Sequence, residues 1–286
     1  MKTRQATFAG QFYPENKDEL IALIKEIEAE ERPKIAFSNT LHPIIGGVVP
    51  HAGYEFSGYE AIHFFKILQK SRQVFDTVVI LNPDHYGMRK AISIDNHTKW
   101  DSPLGDVKID HKFAEATELP REPAANGEHS AEVMLPFLKY YLDYEFKILP
   151  VTITKQDFIT ASETASALWE AKNLTGKNIV LIASCDFSHF TEPEQGKRRD
   201  DLIIEQIHRL DSKAIYEKVS DYNLTICGYG PIMTLIEYSK LTSNYPEVDI
   251  LARGNSAKKY PSQNVVNYVS IIFNHNYDEK HSFRSL

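Results

Sequence analysis

The chain has 286 residues, of which 42% are hydrophobic and 25% charged, and its formal net charge at pH 7 is -7. This composition is typical of a soluble globular protein, and the acidic balance offers no electrostatic footprint for nucleic acid. No apolar run reaches the roughly 20 residues that span a bilayer, the first residues lack a signal-peptide pattern, and only two cysteines occur. We therefore expect a cytoplasmic protein that binds neither membrane nor nucleic acid. Without repeats or long linkers, one domain over residues 1–286 is the simplest organisation.

Apolar runs alternate with helical segments along the chain. Buried strands are predicted at 46–50, 76–83, 146–153, 178–184 and, late in the chain, 265–273, and helices near 57–70, 156–171 and 194–210. Continuous runs of Val, Ile and Leu without polar alternation suit strands that are covered on both faces. The alternation of strand and helix predicts an α/β fold with a largely parallel sheet.

Polar side chains follow three of these strands at the point where each strand ends. His51 follows the first strand, His85 the second, and Asp186 and His189 follow the strand at 178–184. In open α/β sheets, ligands bind beyond the carboxyl ends of the strands. We therefore expect these side chains to meet at one edge of the sheet.

Two further segments are candidates for the same edge. Glu128 and His129 precede Ser130, which fits the N-cap of a following helix. Cys227 lies in a glycine-flanked turn before the helical segment "IMTLIEYSK". A thiol near a helix N-terminus has a lowered pKa and suits a nucleophile or a metal ligand, although a buried small residue in a tight turn is the alternative.

Imidazole and thiolate together indicate a transition metal such as iron, copper or zinc. Two histidines and one anionic ligand leave coordination positions open, as in non-haem iron oxygenases and catalytic zinc sites. The chain contains no HExxH and no paired CxxC, so the pattern selects no single metal. It also lacks GxGxxG and Walker A loops, so a nucleotide cofactor has no support.

Seven short motifs occur in order and resemble those of one family. They are "AGQFYP" at 9–14, "PHAGYEFSG" at 50–58, "NPDHYG" at 82–87, "WDSPLG" at 100–105, "GEHSAEVMLPFL" at 127–138, "SCDFSHF" at 184–190 and "CGYGP" at 227–231. Together they resemble the Memo-like family, also called AmmeMemoRadiSam system protein B, over nearly the whole chain. Two positions depart from the family pattern: Asn82 precedes Pro83 where Gly is usual, and Cys185 stands where members often carry serine.

The resemblance implies a single α/β domain, with a mixed sheet flanked by helices, related in fold to class III extradiol ring-cleaving dioxygenases. It implies that His51, His85 and Cys227 line the metal pocket and that Asp186 and His189 lie at the same pocket. In the dioxygenase relatives the anionic ligand is a carboxylate. A thiolate in its place changes the charge and the redox behaviour of the metal.

The first functional hypothesis is a metal-dependent oxidoreductase with Fe2+ as the expected ion and copper or zinc as alternatives. His189 would act as acid and base, and Asp186 would orient it through a hydrogen bond. The substrate, an unknown small molecule or peptide, would contact residues that line the pocket: Tyr54, Trp100, Glu128 and His129.

Two other hypotheses stay open at this point. The first is a binding protein that uses the same pocket without turnover, with an aromatic cleft of Tyr13, Tyr54, Trp100 and Phe190. The second is a hydrolase with Cys227 as nucleophile and a histidine, His51 or His189, as base. The family name also implies work alongside a radical-SAM protein and an AMMECR-type protein.

Overall fold

An eight-stranded mixed sheet runs through the centre of the protein. The computed structural model describes residues 2–40, 42–87, 90–123 and 127–276. The strands are β1 (Thr3–Arg4), β2 (Ile44–Val49), β3 (Thr77–Pro83), β4 (Ile92–Asp95), β5 (Lys99–Trp100), β6 (Val107–Lys108), β7 (Arg121–Glu122), β8 (Lys147–Ile153), β9 (Ile179–Ser184), β10 (Pro246–Asn255) and β11 (Asn267–His275). The helices are α1 (Lys17–Glu31), α2 (Tyr54–Lys70), α3 (His111–Ala116), α4 (Met134–Tyr141), α5 (Phe158–Thr175), α6 (Pro193–His208), α7 (Ser212–Asp221) and α8 (Tyr229–Thr242), with 3-10 turns at Arg32–Lys34, Phe37–Thr40 and Ser256–Lys258.

The strand order of the large sheet is β10-β11-β2-β9-β3-β8-β4-β7. Its four central strands, β2, β9, β3 and β8, are parallel, while β11 joins β2 and β4 joins β8 in antiparallel pairs. The predicted α/β fold class, with a central mixed sheet flanked by helices, is confirmed. The late strand β11 lies between the edge strand β10 and β2.

Each central strand buries side chains on both faces, which explains its unbroken apolar sequence. Val78 and Ile80 of β3 pack in the core beneath α1, α2 and α4. Val79 and Leu81 of the same strand pack on the opposite face, against α3 and α5 to α8. The alternation follows from the period of two of an extended strand. Two separate layers of helix therefore hold the sheet rigid beneath its carboxyl edge.

A second, three-stranded sheet of order β1-β5-β6 was not predicted. Its strands have two residues each, which is too short for an apolar period to be visible. The helix predicted directly after Ser130 begins later, at Met134, and its N-cap is Val133, so the capping interpretation of Ser130 is wrong. Within the described ranges no helix is long and apolar enough to cross a membrane.

Candidate metal centre

Three central strands end at the same edge of the sheet and bring the predicted polar side chains together. Val49 of β2 pairs with Ser184 of β9, so both strands end at the same level. Beyond them, the rings of His51 and His85 lie 5.2 Å apart in an edge-to-face arrangement. The backbone N–H of His51 donates to Asp186 Oδ1 at 2.7 Å.

The ligand atoms of His51, His85 and Cys227 all lie within 4.8 Å of one another. Cys227 reaches this group from the turn before α8, and its Sγ lies 3.3 Å from His51 Nε2. Two imidazole nitrogens and one sulfur form a donor set that suits zinc, iron or copper. The residues therefore fit a first-row transition metal. A second group of possible ligands, His85, Glu128 and His129, shares His85 with the first.

The orientation of the His51 ring is set from behind by a serine. Nδ1 of His51 lies 2.7 Å from Ser184 Oγ, and that hydroxyl donates its proton to the Ser130 carbonyl at 2.6 Å. Since a hydroxyl has one proton to give, Ser184 accepts the proton of Nδ1, and Nε2 keeps its lone pair. Burial and the nearby His129 and His85 hold the pKa of His51 well below its usual range. His51 is therefore a neutral ring with its free nitrogen toward Cys227.

Glu128 orients the second histidine. Its Oε2 accepts the backbone N–H of His85 at 2.9 Å, and its two oxygens lie 3.1 and 3.2 Å from His85 Nδ1. Burial alone would lower the pKa of His85, but hydrogen bonds with Cys227 and Glu128 raise it to about 10. Burial alone would raise the pKa of Glu128, but the hydrogen bond with the His85 imidazolium and its charge lower it to about 2. A cation that binds at Nε2 of His85 would displace a proton and keep the carboxylate behind the ring.

The thiol and the carbonyl of Cys227 each accept a hydrogen bond from the surrounding chain. The N–H of Asp186 donates to Cys227 Sγ at 3.2 Å, and Gln156 Nε2 donates to the Cys227 carbonyl at 2.8 Å. Burial, followed by the neighbouring Cys185 thiol, raises the pKa of Cys227 well above its usual range. The lowered thiol pKa expected from the position before α8 is therefore wrong. Two positioning residues were missed: Gln156 lies in no motif, and Ser184 begins "SCDFSHF" but had no role assigned to it.

An aromatic wall closes the site on the side of His129. The His129 ring lies 4.8 Å from the His85 ring and 5.2 Å from the His51 ring, measured between centroids. Phe12 covers it at 4.5 Å and Phe8 at 5.6 Å. Burial lowers the pKa of His129 to about 4, so the ring is neutral at pH 7. The wall is therefore uncharged.

A buried ion pair fixes the N-terminal segment that carries this wall. Arg4 pairs with Glu132, and both side chains are almost wholly buried. The other oxygen of Glu132 accepts the Phe8 N–H at 2.7 Å and the Tyr13 hydroxyl at 2.8 Å. Arg4 also donates to the backbone carbonyl of Glu128 at 2.8 Å. The same network thus ties the wall to the residue that orients His85.

His189 lies at the site but is not oriented by Asp186. Its Nδ1 is 2.7 Å from the Thr225 carbonyl, and its backbone N–H donates to Thr225 Oγ1 at 2.9 Å. Because a carbonyl only accepts, Nδ1 carries a proton, and the hydrogen bonds of the described residues leave Nε2 available. The predicted hydrogen bond from Asp186 to His189 is wrong: that carboxylate accepts from the backbone N–H groups of His51 and Ala52 instead. Burial raises the pKa of Asp186 to about 6.

The structure places two predicted pocket residues in the core. Tyr54 stacks on Phe137 at 4.1 Å and donates its hydroxyl to the Val133 carbonyl at 2.8 Å. Trp100 lies beneath the Arg4 guanidinium, which is 4.2 Å from the ring centroid, and donates its Nε1 to Asp95. Both side chains are almost fully buried, so the proposed aromatic cleft that includes them does not form. Phe190, by contrast, is 80% exposed.

A surface cleft of about 740 Å³ lies beside the aromatic wall. Its lining includes Phe12, which covers His129, and Gly53, which follows His51 by two residues. Three carboxylates, Glu15, Glu19 and Glu55, also border it. The cleft is thus adjacent to the metal centre through Phe12, and it does not contain the three ligand atoms.

The family model and the similar proteins of known sequence match most of the chain. The family model for Memo-like protein matches residues 4–272. A MEMO1 family protein of Methanosarcina barkeri is 36% identical over 278 residues, covering 94% of this chain and 99% of the relative. Another, of Methanopyrus kandleri, is 36% identical over 284 residues, covering 94% and 98%. The crystal structure of an uncharacterised protein of Escherichia coli K12 matches with a TM-score of 0.49 and 11% identity, covering 79% of this chain and 99% of that one. The chain belongs to the Memo-like protein family.

Proposed function

We propose that this chain is a metal-dependent oxidoreductase that holds iron between His51, His85 and Cys227, with copper and zinc as competing ions. One observation carries the proposal. The three ligand atoms lie within 4.8 Å of one another, and each is oriented by a separate hydrogen bond from the surrounding chain. Such outer partners fix ring orientation and raise ligand basicity, which is the usual construction of a protein metal site.

A bound iron or copper ion would supply one-electron chemistry and a place for dioxygen. Three protein ligands leave further coordination positions for a substrate. His189 supports the second part of the reaction, because its free Nε2 can accept a proton from a substrate at the site. Thr225, rather than Asp186, acts as its positioning residue.

The predicted substrate contacts divide into two roles. Glu128 is occupied by His85 and Ser130, so we assign it to orienting the ligand histidine. His129 is neutral, lies next to both ligand rings and is covered by Phe12. We therefore assign the recognition of a flat, uncharged part of the substrate to His129 and Phe12.

A thiol hydrolase has less support. Cys227 Sγ and His51 Nε2 lie 3.3 Å apart, a distance that suits a nucleophile and its base. However, the base histidine of a thiol hydrolase is oriented by a carboxylate or an amide, whereas a serine hydroxyl, that of Ser184, orients His51. The thiol is better suited to lose its proton to a cation.

The alternative of a binding protein without turnover is favoured by the cleft of about 740 Å³ beside the centre. Its carboxylates Glu15, Glu19 and Glu55, together with Phe12, would suit a peptide or other ligand with basic and aromatic groups. Such a protein would need no metal at His51, His85 and Cys227.

Metal content discriminates among these functions. Protein purified without oxygen should contain near-stoichiometric iron or copper by elemental mass spectrometry, and His51→Ala and Cys227→Ala should each lose it. His208→Ala, at an exposed histidine on α6, is the matched control and should keep the metal. A loaded protein would then be screened for oxygen uptake. Protein that is purified metal-free and also fails to bind added Fe2+, Cu2+ or Zn2+ would exclude the metalloenzyme and leave the binding function.

A further inference from the structure

The two cysteines of this chain share one peptide group at the end of β9. Cys185 Sγ donates to the Asp186 carbonyl at 3.1 Å, and Cys227 Sγ donates to the same oxygen at 3.4 Å. The N–H of Asp186 in turn donates to Cys227 Sγ at 3.2 Å. Both cysteines therefore lie within hydrogen-bond distance of one carbonyl oxygen. They are the only two cysteines in the sequence.

The backbones that carry the two thiols are packed against each other. The N–H of Gly228 donates to Cys185 Sγ at 3.1 Å. A Cβ on Gly228 would lie 2.7 Å from Cys185 Cβ and 2.4 Å from the Ser184 carbonyl, so only glycine allows this approach. A disulfide requires backbones that are close in this way.

The surroundings of the two sulfurs differ. Cys185 is fully buried in the core, with no exposed surface. Cys227 is only partly buried, and its Sγ lies 3.3 Å from the free Nε2 of His51 in the metal centre. A small oxidant that enters the centre therefore reaches Cys227 first. Cys185 stands directly behind it.

We propose that Cys227 and Cys185 are a peroxide-reactive pair, in which Cys227 is oxidised first and Cys185 then closes a disulfide with it. In the first step the Cys227 sulfur attacks hydrogen peroxide, the O–O bond breaks, a sulfenic acid forms, and the released hydroxide leaves as water with the thiol proton. In the second step the Cys185 sulfur attacks the Cys227 sulfur, the S–O bond breaks and a second water leaves. Two thiols and one peroxide thus give one disulfide and two waters.

The disulfide would remove one ligand from the metal centre. This consequence rests on the proposed function, because it requires a metal at His51, His85 and Cys227. A disulfide sulfur is no thiolate, so only the two imidazoles would remain, and affinity for the ion would be lost. A thiol reductant would restore it. The disulfide would also keep Cys227 from irreversible oxidation to sulfinic acid.

Intact mass spectrometry tests the pair on the full-length, metal-free protein. The protein is treated with hydrogen peroxide, unfolded in guanidinium chloride and alkylated with N-ethylmaleimide. Wild type should lose two hydrogen atoms, take up no maleimide and stay monomeric on a non-reducing gel. Dithiothreitol before alkylation should restore two maleimide adducts. Because the chain has two cysteines only, this result admits a single intramolecular disulfide.

Replacing the resolving cysteine provides the matched control. In Cys185→Ser, peroxide should add two oxygen atoms to Cys227, and dithiothreitol should not reverse the change. Cys185→Ala repeats the test with an apolar side chain in case the serine perturbs the buried site. The pair is excluded if wild type keeps two alkylatable thiols, forms only disulfide-linked dimers, or accumulates sulfinic acid as readily as the two variants.

A second measurement separates this inference from the proposed function. Protein loaded with Zn2+, which is redox-inert, is treated with peroxide and desalted, and its zinc is measured. Wild type should lose its zinc and bind added Zn2+ again after reduction with dithiothreitol, whereas Cys185→Ser should lose it and not bind added Zn2+ again. A disulfide in a protein that never binds metal would support the pair and overturn the proposed function. Metal binding without a disulfide would support the proposed function and overturn the pair.

Discussion

The Ser184 hydroxyl lies 2.7 Å from Nδ1 of His51 and decides which nitrogen of that ring carries the proton. The hydroxyl donates its own proton to the Ser130 carbonyl, 2.6 Å away, so it can only accept a proton from Nδ1. Nε2 of His51, which faces Cys227, therefore keeps its lone pair before any ion binds. Ser184 is the last residue of β9, so the sheet itself sets the tautomer of a ligand that follows β2.

Replacing this serine should weaken metal binding without removing a ligand. In Ser184→Ala the Nδ1 proton has no acceptor, so the ring loses its fixed tautomer, and we expect affinity for Zn2+ to fall by about 10–100-fold. Calorimetric titration of the metal-free protein measures this. Ser239→Ala, at a buried serine of α8 that bonds to the Ile236 carbonyl, removes a comparable hydroxyl away from the centre. Equal affinities for the two variants would show that Ser184 has no positioning role.

Glu128 should control the protonation of His85. Hydrogen bonds with Cys227 and Glu128 raise the pKa of His85 to about 10 against its burial. In Glu128→Gln the carboxylate charge is gone, so the imidazolium loses a partner and the pKa of His85 should fall. Proton NMR of the imidazole ring in metal-free protein follows the titration directly. Glu55→Gln, in the neighbouring cleft, is the control and should leave the His85 titration unchanged. An unchanged His85 titration in Glu128→Gln contradicts the assignment.

The sequence could predict that the candidate ligands meet at one site, because residues that follow parallel strands lie at the same edge of the sheet. His51, His85 and Asp186 each follow a long apolar run, and parallel strands bring their carboxyl ends to one edge. The apolar runs also predicted the central strands, since burial on both faces leaves a continuous signal. Cys227 was recognisable from its glycine-flanked turn. Its thiol pKa, however, was expected to be lowered, and burial raises it.

The positioning residues could not be predicted, because their partners are distant along the chain. Ser184 bonds to His51 across 133 residues, and Phe8 bonds to Glu132 across 124 residues. No local period or spacing encodes such a pair. Ser130 was interpreted as a helix cap, which is the common local role of serine, but its hydroxyl bonds to Glu128 and the helix begins at Met134.

The buried pair between Arg4 and Glu132 should carry much of the stability of the N-terminal segment. In Glu132→Gln the guanidinium loses its counter-charge in a site with almost no solvent, and breaking such a pair costs about 3–5 kcal/mol. Urea unfolding should therefore shift to a lower midpoint. The control is Asp201→Asn, which breaks an exposed pair with Arg253 and should cost less than about 1 kcal/mol. Similar midpoints for the two variants would contradict the role of the pair.

Glu60 on α2 should make the protein less stable as the pH rises. One of its carboxylate oxygens is buried without a hydrogen-bond partner, and Gly254 packs so closely on the side chain that a Cβ there would clash with it. Burial raises the pKa of Glu60 to about 8 from 4.5. Between these values the unfolded chain has released the proton while the folded protein still holds it. The free energy of unfolding should therefore decrease as pH rises from about 4.5 to about 8 and change no further from this group above that range.

Glu60→Gln should remove this dependence, since a neutral amide of the same shape has no proton to lose. We expect the variant to be more stable than wild type by about 5 kcal/mol at pH 9, with little difference at pH 4.5. Glu31 provides a control of opposite sign. Burial opposes its ionisation, but hydrogen bonds from Lys258, Lys34 and His63 lower its pKa to about 2. Its contribution is present above about pH 4.5 and is lost as the pH falls toward 2, so Glu31→Gln should destabilise the protein at neutral pH. Urea midpoints at pH 4.5, 7 and 9 for the three proteins test both signs, and a Glu60→Gln variant that gains nothing at pH 9 would show that the buried carboxyl finds a partner when it ionises.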